Sequence, residues 1–159
     1  MTVITHNRRR SRLSTLIDQP GGVSVGTALK QARANLAEYE TRSREVIEEQ
    51  VSALAGMKPP GSPDEASAAL DQAYVRASAV IDAAGPFDLK DICTAAANLC
   101  DLIDAAPEDQ SFDWRIVTVH AQALRLLLTL PAEADDARAQ VLESLRDVLK
   151  AKVPGGAKD

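Results

Sequence analysis

The stretch from Val75 to Ile103, VRASAVIDAAGPFDLKDICTAAANLCDLI, constrains this chain more than any other. Apolar residues recur every three or four positions on both sides of Gly85-Pro86, the signature of two helices with apolar faces. The glycine supplies the stop and the proline the restart, and so tight a connection leaves a helical hairpin as the arrangement. No alternating strand pattern and no repeat unit occurs elsewhere. Ala and Leu are abundant, β-branched runs are scarce and aromatics make up only 3% of the residues, all of which favours helices.

Taken in order, residues 1–23 are a basic arm closed by Gln19-Pro20-Gly21-Gly22, which is turn chemistry. Its Arg8, Arg9, Arg10 and Arg12, with the apolar set Leu13, Leu16 and Ile17 at i, i+3, i+4 spacing, are the candidate binding residues. The arm is expected to be mobile, with docking as a helical turn on a partner or on the body as the alternative. A long helix follows over 24–55. Ser24 can cap it, and Val25, Leu29, Ala32, Leu36, Tyr39, Ser43, Val46 or Ile47, Gln50 or Val51, and Leu54 form its stripe. At about 45 Å it exceeds what a small bundle needs, so part of it is expected to project beyond the bundle or pack on a second copy. The stripe favours an intramolecular seam, with a homodimer as the alternative.

Residues 56–62 form a linker around Lys58-Pro59-Pro60-Gly61, and 63–153 the core of the bundle. Ser62-Pro63-Asp64-Glu65 predicts a capping box that opens a helix to Ala84, burying Ala66, Leu70, Ala73, Tyr74, Ala77 and Ile81. Asp88 is expected to cap the next helix, whose inner face is Leu89, Ile92, Cys93, Ala96, Leu99, Cys100 and Ile103. A further helix from near Ser111 or Asp113 presents Trp114, Val117, His120, Leu124 and Leu127. Pro131 ends or kinks it, and a last helix from about Ala132 to Lys152 presents Ala134, Ala137, Val141, Leu145, Val148 and Leu149. Pro154-Gly155-Gly156 opens a disordered tail over 154–159. The expected fold is all-α: an antiparallel four-helix bundle preceded by a long N-terminal helix, with 24–153 as one domain.

Charge and cysteine usage narrow the function classes. The net charge is −5, yet four arginines against Asp18 give residues 1–20 a charge of +3 and leave −8 on the rest. An acidic body disfavours nucleic acid as a partner, because phosphate contacts need a cationic surface. No run reaches the roughly 20 apolar residues of a membrane span, and Asp18 and Pro20 interrupt any signal-peptide core, so a cytoplasmic, membrane-free protein is expected. Cys93 and Cys100 lie about 10 Å apart along one helix, too far for a disulfide, and are expected as reduced core residues.

Catalytic constellations are sparse. His120 shares the stripe of Val117, Leu124 and Leu127, so a core or rim histidine is expected and a phosphoacceptor role is the alternative. Asp136 and Gln140 stand one helical turn apart, the spacing of helical phosphatases that align a water on an aspartyl phosphate, although such pairs are frequent on solvated faces. His6 lies beside Asn7 and Arg8 with nothing to tune it. The two cysteines lack both a base and convergent metal ligands, so no metal and no cofactor is expected.

The stretch around Gly85 resembles the second half of histidine phosphotransfer domains, where a helix with the pattern H-x-x-K-G is followed by a glycine turn and a helix beginning L-x-x-L. Gly85, Leu89 and Ile92 match the later part. The position of the phosphorylated histidine, ten before Gly85, is Val75, and the lysine and glycine positions hold Ser78 and Ala79. The longer pattern from Ser11 to Leu29, through AAGPFDLKDICTAAANLCDLI, to IVTVHAQALRLL is similar to the CheE-type chemotaxis accessory proteins of alphaproteobacteria. The resemblance implies a cytoplasmic signalling accessory without established enzymatic chemistry, which has lost phosphotransfer at the usual position; the expected partner is a response-regulator receiver domain or a histidine kinase.

Overall fold

The computed structural model describes residues 22–106 and 112–152. The described residues outside the connections are all helical: α1 Val25–Gly56, α2 Pro63–Ala84, a 3₁₀ turn Gly85–Phe87, α3 Lys90–Asp104, α4 Arg115–Thr129 and α5 Asp135–Lys152. The chain divides between Glu38 and Tyr39 into two units, so α1 belongs to both. In the first unit the described residues, 22–38, are exposed throughout. Ser24 opens α1 as expected, its hydroxyl accepting the Thr27 amide at 3.2 Å. The arginines Arg8, Arg9, Arg10 and Arg12 and the apolar Leu13, Leu16 and Ile17 lie outside the described residues, as does His6.

The second unit contains the core. Within it α2 packs on α3, α3 on α4 and α5, and α4 on α5. Alanines make the closest approaches possible: Ala73, Ala77 and Ala84 of α2 and Ala95 and Ala96 of α3 are fully buried. Larger side chains fill the space around them, with Ile47, Val51 and Leu54 from α1, Leu99 from α3, Leu124 and Leu127 from α4, and Leu145 from α5. The expected stripe on α1 therefore splits. Ile47, Val51 and Leu54 are core, whereas Val25, Leu29, Leu36 and Tyr39 are exposed.

Three start and stop signals act differently from the expectation. Ser62 is extended but its hydroxyl makes no cap. The Glu65 carboxylate instead accepts the amide of Gly61 at 3.0 Å, one residue upstream of the reciprocal contact a capping box needs. Gly85 does not stop α2 by turning left-handed; it stays helical at φ −56° and starts the 3₁₀ turn. Asp88 makes the reversal at φ 59°, a conformation its short polar side chain tolerates, and so it is not the cap of α3. That helix opens behind Leu89 without a side-chain cap, and Lys90 pairs with Asp88 at 3.2 Å on the surface.

The inner faces also shift by a residue or two. Val80 and Ala84 join the buried face of α2, while Ala66, Leu70, Tyr74 and Ile81 are half-buried. On α3, Ala95 and Leu102 are buried, and Leu89, Cys93 and Ile103 only partly. Leu130 precedes Pro131 and adopts an extended backbone at ψ 136°, which ends α4. A turn over 131–134 delays α5 to Asp135, three residues after the expected start, and leaves Ala137 exposed.

Candidate functional site

α2 projects Val75 outward, 65% exposed, on the turn that the phosphotransfer resemblance assigns to the phosphoacceptor. Its neighbours Asp71 and Gln72 are exposed as well. Ser78, in the lysine position of that pattern, is half-buried, and its hydroxyl lies 4.0 Å from the Cys100 thiol on α3. One residue along, Arg76 donates to Gln50 of α1 at 3.2 Å, which ties the two helices together beneath the Val75 face. The outward surface here is thus apolar at its centre and carries no titratable group where the phosphoacceptor would stand.

His120 is fully buried on α4. Nδ1 lies 2.8 Å from the carbonyl oxygen of Ile116, and since a carbonyl only accepts, Nδ1 carries the proton. Nε2 is then a bare acceptor with no hydrogen-bond partner among the described residues. Burial holds the imidazole pKa below its ordinary 6.5, against a smaller upward pull from the Ile116 carbonyl. A phosphoryl donor has no route to a ring with no exposed surface, so the core role expected for this residue fits its surroundings and the phosphoacceptor alternative does not.

Asp136 and Gln140 are both exposed on α5. Gln140 borders a shallow groove of about 330 Å³ between α4 and α5, lined also by Leu126, Leu130, Ala137, Val141 and Ser144. Arg138, between the two, turns inward. Its guanidinium donates to the Asp91 carboxylate at 2.6 Å and to the carbonyls of Leu127 and Leu130 at 3.0 and 3.2 Å. One side chain thereby satisfies the open carbonyl end of α4 and fastens α5 to the start of α3. No local signal marks this role, because its partner Asp91 lies 47 residues away in sequence.

At the other end of α4, the Asp113 carboxylate accepts the Arg115 amide at 3.2 Å and pairs with its guanidinium at 2.9 Å. Lys152, at the end of α5, reaches the same carboxylate at 3.5 Å. The Arg115 hydrogen bond draws the Asp113 pKa down to about 2. Both thiols are free, and burial raises the pKa of each, which opposes thiolate formation. Among the described residues no group of three or more His, Cys, Asp or Glu is placed to hold a metal. No helix among them is long and apolar enough to cross a membrane.

Comparison with family models, curated proteins and solved structures found no match to this chain.

Proposed function

We propose that this protein works by binding, as a non-catalytic cytoplasmic accessory of chemotaxis or two-component signalling, with its helices arranged like a phosphotransfer bundle. The partner is a response-regulator receiver domain, or the histidine kinase that feeds it. The observation that supports this is Val75, an apolar residue 65% exposed at the turn where the phosphotransfer pattern carries its histidine. An apolar side chain there retains a surface that a receiver could cover while removing the nucleophile that would take its phosphoryl group. A panel of the source organism's receivers and histidine kinases tests the reading. One receiver is expected to bind with Kd in the range of tens of μM or tighter, and Val75→Asp weakens it about tenfold. If neither a receiver nor a histidine kinase of the source organism binds tighter than about 100 μM, the reading fails.

A second reading draws on α5. Asp136 and Gln140 are exposed one turn apart beside the α4–α5 groove, a placement compatible with aligning a water on a receiver's aspartyl phosphate. Receiver dephosphorylation would then accelerate in the presence of the protein and return to its intrinsic rate with Gln140→Ala. An unchanged rate with the wild-type chain excludes this enzyme role.

A further inference from the structure

Among the described residues, nothing covers the apolar seam along the N-terminal half of α1 as far as Tyr39. Leu29, Ala32, Leu36, Tyr39, Ser43 and Val46 are spaced alternately by three and four along one helix. Leu29 and Leu36 are each 53% exposed and Tyr39 63%, whereas Ser43 and Val46 at the end of the seam are half-buried. Such spacing is the geometry by which two helices interlock side chains, and the flanking positions decide partner and direction. Here one flank holds Arg33 and Glu40 and the other Asn35 and Arg42.

We propose that this face of α1 pairs with the same face of a second copy of the chain, antiparallel, with Leu36 of each packed on Tyr39 of the other. Charge selects that register. It sets Ala32 against Ser43, Leu29 against Val46, and Arg33 against Glu40 of the second copy, and the two-fold symmetry makes the ion pair twice. Sliding by one heptad in one direction places Arg33 against its own counterpart. Sliding in the other direction does the same to Glu40 and to Arg42. A parallel, in-register pair places Ala28 beside Arg33, Asn35 beside Glu40 and Arg42 beside Ile47, with no opposite charges, and stacks Ser43 on itself. Glu40 now pairs with Arg44 of its own helix at 3.2 Å, but both side chains are about half exposed, and an exposed pair one turn apart is weak enough to exchange. The proposal uses a different helix from the receiver reading and stands or falls separately.

Sedimentation of the full-length chain across roughly 5–200 μM tests it, with a concentration-dependent dimer expected. Leu36→Glu should leave a monomer. Arg33→Glu and Glu40→Arg should each weaken dimerisation about tenfold, because each sets like charges against each other twice. An equimolar mixture of these two variants pairs opposite charges at both sites and should recover near-wild-type affinity. Arg33 and Leu36 are exposed and Glu40 is half-buried, and unchanged helical content confirms that each variant is folded. A wild-type chain that stays monomeric overturns the proposal, as does a mixture that associates no better than its separate components.

Discussion

Leu29 and Leu36, in the first half of α1, are each 53% exposed, whereas Ile47, Val51 and Leu54, in the second half, are at most 1% exposed. Both sets sit at three-and-four spacing on one helix. The spacing brings side chains onto a common face in each half alike. Burial requires a second element to meet that face, and for Ile47, Val51 and Leu54 the alanine-rich inner surfaces of the second unit do so. An apolar stripe is therefore a statement about which residues share a side, not about what covers them. Polar residues of α5 repeat the contrast, since Arg138 is enclosed by three acceptors while Asp136 and Gln140 face outward.

The largest expected effect lies in the covered half of α1. Leu54→Ala should cost about 3 kcal/mol in urea unfolding, from lost transfer energy and the cavity left behind. Arg138→Ala should follow at roughly 2 kcal/mol, because it strips a charged donor from Asp91 and from the Leu127 and Leu130 carbonyls at the end of α4. Arg138→Lys should recover less than half of that, a single ammonium being unable to span all three acceptors. An Arg138→Ala chain as stable as wild type would break the contrast between the inward and outward residues of α5.

The buried His120 should make stability depend on pH. Its folded pKa lies below 6.5, so below that value the unfolded chain binds more protons than the folded one. Stability is then complete above about pH 6.5 and falls as the pH drops through 6.5 to the lower folded value, where this contribution levels off. Urea midpoints measured between about pH 7.5 and 5 should show the decline, and His120→Leu should flatten it over that window. Asp113 acts further down. Its contribution is present above pH 3.8 and is lost as the pH falls toward about 2.

The smallest effect should come from the uncovered half of α1. Leu36→Ala, measured at a dilution where the chain is monomeric, should change stability by no more than about 0.5 kcal/mol. A loss comparable to that at Leu54 would mean that both halves of the helix are covered alike.

Much of the local structure was legible before any coordinates. Ser24 opens α1, Pro131 separates α4 from α5, and His120 lies on the buried face with Val117, Leu124 and Leu127. These follow from hydroxyl caps, the restricted residue before proline and the 3.6-residue period, all of which act within a few positions. The hairpin around Gly85 was legible in outline and misassigned in detail. Either Gly85 or Asp88 can make a reversal, and the 3₁₀ turn through Pro86 moves it to Asp88. Of the candidate site, the outward position of Val75 was implicit in its absence from the apolar stripe of α2, while the inward turn of Arg138 had no local trace.

By itself the sequence determined that this chain is helical, where its helices run to within a few residues, and which side chains share each face. Tertiary structure decided how those faces are used. It buried Ile47 and left Leu36 in solvent, joined Arg138 to Asp91 across 47 residues, and enclosed His120. Periodicity and capping are properties of neighbours along the chain, whereas coverage and long-range pairing depend on which distant surfaces meet.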